Sequence, residues 1–389
     1  MKKTMWKRAA ALAAAAVMAL SLAACGSSAP KEAESSSQAA SSAAQSEAQS
    51  ETAQSEAEAS SAAAESAAGS GASAANKAAD DGAYASTTVR IGSLKGPTTM
   101  GLVNMMQKGE DGALPFGTEF TMAAAPDEIT AKVVKGELDI ALIPANLASV
   151  LYNKTEGGVQ VLNVNTLGVL YGVTGDETVK SLADLAGKTV YMTGQGATPE
   201  YAFRYILAQN GLSDKVTLEF KSEATEIAAL LKEDPSKIAV LPQPFATVCQ
   251  MQNEQVKEFM NLTEEWAKCP DSGNSQLLTG VTIVSTEFAK AHATDGLLDA
   301  FLAEQESSAK AAEENLDQTA ELVAKYGIIE KAPVAKKALP KCGIVCISGT
   351  EMKDALSGYL DVLYQADAKS VGGKLAGEDF YLALQEKAE

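Results

Sequence analysis

The sequence is poor in the residues that most often bind metals and carry out acid–base catalysis near neutral pH. Its single histidine, His292, argues against histidine-based metal sites and catalytic triads. The chain has no Cys-x-x-Cys pair, which argues against a structural zinc site. No Ser/His/Asp, Cys/His or paired-carboxylate pattern emerges. We therefore expect a protein that is not an enzyme and that holds neither a metal nor a cofactor.

Positive charge and long apolar runs are also scarce. The formal net charge is −18 at pH 7, which argues against binding to nucleic acid or direct adsorption to an anionic membrane. No apolar run reaches the roughly 20 residues that a membrane-spanning helix needs. We therefore expect no spanning helix.

The N-terminal segment has the pattern of an export signal. Residues 1–25 combine a basic start, a short apolar core and the tetrapeptide Leu-Ala-Ala-Cys. That tetrapeptide resembles the bacterial lipobox, in which the cysteine, here Cys25, carries the lipid anchor. Residues 26–86 are rich in Ser, Ala, Glu and Gln and have too few large apolar residues to form a core, so we expect a disordered tether.

Four further cysteines lie in the remaining part of the chain. Cys249 and Cys269 could form a disulfide in an exported protein, or they could pack as buried thiols. Cys342 and Cys346 lie in a segment that reads as one strand, CGIVC. Such spacing separates their Cα atoms by about 13 Å, which is too far for a disulfide.

After the tether, short apolar strands alternate with helical segments. About 300 residues remain, which is enough for two lobes of ordinary domain size. The alternation predicts parallel sheets with helices on both faces. The chain is thus expected to belong to the α/β class.

Four turns follow strand ends and begin helices, two in each expected lobe. Because ligands of open α/β sheets bind beyond the carboxyl ends of strands, these turns would line one cleft if the lobes face each other. We expect backbone N–H groups, hydroxyls and amides to bind a small polar or anionic organic molecule there. Thr98 or Thr99 is a possible helix cap, and Thr198 is the predicted cap of a helix with Pro199 at its first position. The turns are Lys95–Met100, Pro144–Asn146, Gly194–Pro199 and Pro242–Pro244.

Several motifs resemble one family in the same order along the chain. The motifs include VRIGSLKGPTTMG, DIALIPANLA, SLADLAGKTVYMTGQGATPEYAFRYILAQNGL and KIAVLPQPFAT. With the lipobox and the tether, they resemble the nitrate/sulfonate/taurine and thiamine-precursor group of solute-binding lipoproteins. The resemblance implies a two-lobed type II periplasmic-binding fold, each lobe a mostly parallel sheet flanked by helices. Residues 87–168 and 277–389 would form one lobe, and residues 169–276 the other.

The same resemblance implies a function and a set of contacts. It implies a monomeric, lipid-anchored extracytoplasmic protein that captures a small solute between its lobes and delivers it to the permease of an ABC importer. Alternatives are an enzyme of the same fold, of the thiamine-pyrimidine or menaquinone-pathway type, and a surface sensor. The residues implied to contact the solute are Lys95, Gly96, Pro97, Thr98, Thr99, Met100, Asn146, Gly194, Gln195, Gly196, Thr198, Pro199, Gln243 and Pro244.

Overall fold

Strands and helices alternate along the chain, as the sequence predicts. The structure, a computed structural model, describes residues 84–273 and 275–382, which belong to one compact unit. The predicted signal peptide, the Cys25 anchor and residues 26–83 of the tether lie outside the described residues. Within the described part, no helix is long and apolar enough to span a bilayer.

The described residues form eleven β-strands and thirteen α-helices. The strands are β1 (Thr88–Leu94), β2 (Gly117–Ala123), β3 (Ile140–Pro144), β4 (Val159–Leu167), β5 (Leu170–Thr174), β6 (Thr189–Met192), β7 (Thr217–Phe220), β8 (Ile238–Pro242), β9 (Lys257–Asn261), β10 (Leu278–Ser285) and β11 (Ile344–Ile347). The helices are α1 (Pro97–Met100), α2 (Val103–Glu110), α3 (Pro126–Val134), α4 (Ala145–Lys154), α5 (Thr198–Gln209), α6 (Ala224–Glu233), α7 (Phe245–Gln252), α8 (Leu262–Ala267), α9 (Thr286–Ala291), α10 (Leu297–Glu314), α11 (Leu316–Lys325), α12 (Ala332–Ala338) and α13 (Gly349–Ala366). Short 3₁₀ turns cover Leu182–Leu185, Pro270–Ser272, Leu339–Lys341, Ala368–Val371 and Glu378–Phe380.

The strands form two separate sheets. The first sheet has the order β11-β4-β10-β3-β1-β2, and the second has the order β7-β6-β8-β5-β9. The chain leaves the first sheet at Leu167, enters the second at Leu170, and returns as β10. Because β10 comes back from the other sheet, it inserts antiparallel between β3 and β4.

Most strands of each sheet run in the same direction, as the resemblance implies, although both sheets also contain antiparallel pairs. In the first sheet, β1 pairs in parallel with β2 and β3, whereas the other three pairings are antiparallel. In the second sheet, β6 is parallel to β7 and β8, whereas β5 is antiparallel to β8 and β9. Both sheets are therefore mixed. In the first sheet β10 and β11, and in the second sheet β5, run opposite to the other strands.

A continuous apolar core ties the two sheets together. Trp266 of α8 lies beside the second sheet and packs on Tyr359 of α13, with ring centroids 5.4 Å apart. Both side chains are almost completely buried. Burial of rings this large is worth several kcal/mol each. Helix α13, which follows the last strand of the first sheet, is thereby fixed against the second sheet.

The fold decides between the two alternatives left open for Cys249 and Cys269, and it corrects the predicted strand CGIVC. The four cysteines in the described part are all free thiols, so Cys249 and Cys269 are not bridged. The segment CGIVC is not one strand, because β11 begins only at Ile344. Cys342 instead ends a 3₁₀ turn and its thiol donates to the carbonyl of Ala338.

Candidate functional site

A cavity of about 170 Å³ opens where strands of both sheets end. From the first sheet, β1 and β3 contribute their last residues, Leu94 and Pro144. From the second sheet, β8 contributes Pro242 and β5 contributes its first residue, Leu170. The carboxyl ends of strands in the two sheets therefore meet around one hollow, which is where open α/β sheets bind ligands. The complete lining is Leu94, Lys95, Gly96, Pro97, Thr98, Ala124, Pro126, Pro144, Thr166, Val169, Leu170, Thr193, Gly194, Ala197, Pro199, Ser222, Glu223, Ala224, Thr225, Pro242, Phe245 and Thr279.

The lining is mainly apolar, with a few hydroxyl groups. Prolines, aliphatic side chains and the ring of Phe245 form most of the wall. The charged side chains in the lining are Lys95 and Glu223. Thr279, on the returning strand β10, has a buried hydroxyl without a hydrogen-bond partner in the protein. A group on a ligand could pair with that hydroxyl, since a buried polar group left unpaired costs roughly 1–3 kcal/mol.

The turn after β1 lies in the wall of the cavity, but its threonines do not cap a helix. Gly96 is the cap residue of α1, and no side chain bonds at that position. The hydroxyls of Thr98 and Thr99 instead donate to the carbonyl oxygen of Leu94, at 2.9 and 2.6 Å. They therefore hold the turn against the end of β1.

Thr99 and Met100 lie behind this wall rather than in it. Both are fully buried. The hydroxyls of Thr99 and Ser93 lie 2.6 Å apart, and Met100 belongs to the apolar core of the first sheet. These two residues support the turn from inside, while Lys95 to Thr98 line the cavity.

A buried group of polar contacts joins α4, the start of α5 and the segment after α13. Asn146 donates from Nδ2 to the carbonyl oxygens of Ser370, at 2.9 Å, and Gly196, at 3.5 Å. Its Oδ1 accepts from the hydroxyl of Thr198 at 3.2 Å. We call Asn146, Gly196, Thr198 and Ser370 the Asn146 junction. Asn146 and Thr198 are completely buried, so these predicted ligand contacts bond to the protein itself.

The junction explains why Thr198 is not a helix cap. Helix α5 begins at Thr198, with Ala197 as the cap residue and Pro199 in the second position. The Thr198 hydroxyl is directed to Asn146 rather than to a backbone N–H of its own helix. Gly194 and Pro199, on either side of the junction residues, do line the cavity.

The predicted glutamine contacts lie away from the cavity lining. Gln195 is exposed at the tip of its turn. Gln243 is completely buried, and its Oε1 accepts from the backbone N–H and the hydroxyl of Thr247, at 3.2 and 2.8 Å. Gln243 and Pro244 thus follow the wall residue Pro242 without reaching the surface of the cavity.

Carboxylates already occupy two of the helix starts near the cavity. Glu223 is the cap residue of α6: its backbone N–H donates to the carboxylate of Glu226 at 3.0 Å, and its own carboxylate accepts from the hydroxyl of Thr225 at 3.1 Å. Glu200 accepts from the backbone N–H of Gly196 at 2.7 Å and from Arg204 at 2.7 Å. These donors are therefore satisfied within the protein and are not free for a solute, contrary to the expectation for the Gly194–Pro199 turn.

Sequence reasoning missed part of the lining. Ala124 and Pro126 follow β2, and Ser222 to Thr225 follow β7. The other turns were selected by a strand-end rule, namely that ligands bind beyond the carboxyl ends of strands. The same rule also selects these two turns. Thr166 and Thr279 lie on the strands that cross between the sheets. Their place in the wall depends on sheet order, for which the sequence carries no local signal.

The described residues include no group of three or more His, Cys, Asp or Glu side chains arranged to hold a metal ion. The chemistry that the wall offers is therefore hydrogen bonding from hydroxyls, one ammonium group, one carboxylate and extensive apolar contact.

Comparisons with known proteins bear on this architecture. No family model and no curated protein matches the chain. A solved structure of an ABC transporter from Parabacteroides distasonis is 22% identical, with a TM-score of 0.65, covering 77% of this chain and 100% of that one. The alkanesulfonate-binding protein SsuA from Xanthomonas axonopodis pv. citri, bound to MOPS, is 15% identical, with a TM-score of 0.57, covering 73% and 94%.

A third similar structure is a Candida albicans gene product described as having the generic periplasmic binding protein fold. It is 15% identical, with a TM-score of 0.51, and the match covers 78% of this chain and 99% of that one. Identities this low carry information about architecture alone. With its two sheets, flanking helices and shared cavity, the chain has the fold of the periplasmic binding proteins.

Proposed function

We propose that this chain is a lipid-anchored extracytoplasmic solute-binding protein that delivers a small organic solute to an ABC importer. Its two lobes would be residues 87–168 with 277–389, and residues 169–276. The observation that carries the proposal is the cavity whose wall comes from the strand ends of both sheets. A solute held by both sheets would favour their closed arrangement, which is how a binding protein can report that it is loaded.

The similar structures support this role without naming the solute. Two of them are described as SsuA sulfonate-binding proteins from Xanthomonas axonopodis and Escherichia coli. Another is described as the ligand-binding component of an ABC-type import system from Staphylococcus aureus. We transfer from them the capture of a small molecule and the presence of a membrane permease as partner, and not their ligands.

The cavity itself restricts the solute. A dry cavity of about 150 Å³ in another protein holds one benzene molecule, so 170 Å³ suits a group of about that size. Because prolines and aliphatic residues form most of the wall, we propose a solute with a substantial apolar body. Its few polar atoms would pair with Lys95, the Thr98 backbone or hydroxyl, and Thr279.

Among the residues implied by the resemblance, we assign solute contact to those in the wall. These are Lys95, Gly96, Pro97, Thr98, Gly194 and Pro199. Asn146, Thr198 and Gln243 would hold the surrounding backbone through their buried hydrogen bonds. Thr99 and Met100 would support the first turn from behind.

The anchor is a separate part of the proposal. Cys25 lies outside the described residues, so the support for lipidation is the lipobox-like tetrapeptide alone. We expect Cys25→Ser to release the protein from membranes into the soluble fraction, because a diacylated anchor is what would hold it there. Membrane attachment that survives this substitution would refute the anchor but not the solute-binding role.

The binding role is tested by filling the cavity. Ala124 lines the cavity and is exposed, so Ala124→Trp should obstruct it with little effect on folding. A panel of sulfonates, nitrate, pyrimidines, flavin precursors and small carboxylates would be screened by thermal shift. A solute at 100 times its Kd stabilises the fold by about 2.7 kcal/mol.

We expect at least one panel member to stabilise the unmodified protein and to lose its effect in Ala124→Trp. Ala113→Trp is the matched control, because Ala113 is also exposed but lies outside the cavity lining. A solute that stabilises Ala124→Trp as strongly as the control variant would bind elsewhere, and the proposed site would be wrong.

A further inference from the structure

A groove of about 520 Å³ runs between helices of the second sheet and the segment that leads into α12. Helices α6 and α7 form one wall, and residues 327–331 with Val334 form the other. The two walls belong to stretches that follow different sheets. The groove lining is Lys95, Thr225, Ala228, Ala229, Lys232, Phe245, Val248, Met251, Gln252, Gly327, Ile328, Ile329, Glu330, Lys331 and Val334.

The groove is continuous with the cavity. Lys95, Thr225 and Phe245 line both spaces. The ring of Phe245 and the side chain of Lys95 therefore stand at the junction between an inner apolar cavity and an outer channel. A molecule longer than the cavity could extend past these two residues into the groove without leaving contact with the protein.

The charge of the groove is opposite to that of the whole chain. The chain carries a net charge of −18, but three lysines and one glutamate line the groove. Within the described part of the chain, none of Lys95, Lys232 and Lys331 takes part in an ion pair. Lysines that line one groove without ion-pair partners give it a positive charge, which is complementary to an anion.

The inner cavity is less suited to an anion than the groove. Glu223 lines the cavity, and its carboxylate accepts from the hydroxyl of Thr225, which also lines the cavity. An anion deep in the cavity would lie in an apolar space near that carboxylate, where desolvation and repulsion both oppose it. The lysines at the mouth and in the groove remain in contact with water, where an anionic group keeps part of its hydration.

The groove floor also offers apolar contact to an extended molecule. Ile328 and Ile329 are buried along it. Met251, on α7, is 44% exposed, and few other large apolar side chains among the described residues are exposed. Methionine adapts to ligands of irregular shape.

We propose that the groove is a second compartment of the site, and that it takes the anionic end of an elongated solute whose apolar body fills the cavity. The proposal rests on the proposed solute-binding function and narrows the solute to an organic carboxylate or similar anion longer than the cavity. Lys95 would contact the linker region, and Lys232 and Lys331 would lie near the charged end. Because the groove walls come from stretches that follow different sheets, its occupation would also favour closure.

The proposal is tested with a series of phenyl-substituted carboxylates. Benzoate, 3-phenylpropionate and 5-phenylvalerate carry the same ring and charge on linkers of increasing length. We expect affinity, measured by isothermal titration calorimetry, to rise with linker length as the carboxylate reaches the lysines. The uncharged amide of 5-phenylvalerate should bind about tenfold more weakly than the acid, since two or three exposed charge contacts are lost.

The lysines are tested by a double variant and a matched control. Lys232→Gln with Lys331→Gln should weaken 5-phenylvalerate about tenfold and leave its amide unchanged. Lys135→Gln with Lys154→Gln makes the same charge change at exposed lysines outside both spaces and should leave the affinity within about twofold. Raising the salt concentration should weaken the acid but not the amide.

Three results would overturn the second compartment. They are absent binding of 5-phenylvalerate, an affinity that does not depend on linker length, and equal effects of the two lysine pairs. Each can be told apart from failure of the proposed function, because that function is judged by the solute panel and by Ala124→Trp. A panel solute blocked by Ala124→Trp, together with any of these results, would leave a binding protein with the cavity alone.

Discussion

The cavity wall and the Asn146 junction both derive from turns at strand ends, yet they do different things. Lys95 and Thr98 border an open space lined mainly by apolar residues. Asn146 and Thr198 are completely buried and hydrogen-bonded to one another. Both pairs have the composition expected of ligand contacts. Turn residues of the same kind therefore reach two different environments, an open cavity wall and a buried, hydrogen-bonded junction.

The difference also has an energetic side. In the junction, the buried side-chain amide of Asn146 has its hydrogen bonds within the protein. The junction therefore contributes to the stability of the fold. The wall leaves a hydroxyl, that of Thr279, buried and without a partner in the protein. Variants in the junction should therefore change folding, whereas variants in the wall should change binding.

The largest effect is expected from Asn146→Ala. It leaves the Ser370 carbonyl and the Thr198 hydroxyl without their partner in a fully buried place. We expect a loss of about 3 kcal/mol in the free energy of unfolding, measured by urea denaturation. Asn210→Ala is the control, because this exposed amide bonds only to the carbonyl of Ile206 in its own helix. Its loss should stay below about 0.5 kcal/mol. Equal losses in the two variants would mean that the junction is not a stabilising contact.

A smaller effect separates two glycines of a single turn. Gly194 and Gly196 have φ values of +79° and +72°, so alanine is strained at either position by about 1 kcal/mol. At Gly194 a Cβ atom would also lie 2.7 Å from Cγ of Pro199, whereas at Gly196 it would meet nothing within 4 Å. Urea denaturation should show Gly194→Ala to be less stable than Gly196→Ala by about 1–2 kcal/mol.

That comparison also tests the division between wall and junction. Gly194 and Pro199 line the cavity, so Gly194→Ala should weaken any solute that binds there. Gly196 contributes only its carbonyl group to the junction, and Gly196→Ala should bind the solute normally. If both variants lost the same affinity for the solute, the assignment of Gly194 to the wall and Gly196 to the junction would be wrong.

The smallest effect concerns thiols that pack behind the wall. Cys249 lies on α7, whose first residue Phe245 lines the cavity, and Cys342 lies 4.0 Å from the sulfur of Met100. Burial raises the pKa of Cys249 to about 12 and raises the pKa of Cys342 as well. At pH 8 both thiols should therefore be protonated and unreactive.

In the Cys25→Ser variant, we expect a thiol reagent at pH 8 to label Cys249 and Cys342 only as fast as the protein unfolds. Their labelling in urea gives the fully exposed reference. Faster labelling in native buffer, with a rate that a bound solute suppresses, would show that the wall opens locally. The wall would then be a mobile region rather than a fixed surface.

The sequence predicted most elements but not how they pair. The run of Asp139 to Ile143 predicts a short, buried strand, and the structure has a fully buried strand one residue further along, at Ile140–Pro144. Helix α8, Leu262–Ala267, was missed because it directly follows β9 and has no glycine or proline before it. The antiparallel insertion of β10 was missed because strand direction depends on the path of the chain between the sheets.

For the candidate site, the sequence likewise selected the turns but not which of their residues line the cavity. The strand-end rule selected Lys95 to Thr98, Gly194 and Pro199 from local pattern, and all of them line the cavity. Their roles as solute contacts remain a proposal. The rule also selected Asn146, Thr198 and Gln243, whose side chains are buried. Asn146 bonds to Ser370 and Thr198, and Oε1 of Gln243 bonds to Thr247, while Nε2 of Gln243 has no partner in the protein. The partners of Asn146 cannot be seen in a local window.

By itself the sequence determined most of the points where strands stop and helices start, because glycine, proline and apolar periodicity act within a few residues. It also set the charge of the chain and the turns from which the cavity wall is drawn. Only the tertiary structure decided which of those turns remain open. The packing of the two sheets places Asn146 against Thr198 and places Lys95 in the cavity wall. A buried polar atom must find a partner, and the fold determines whether that partner is protein or solute.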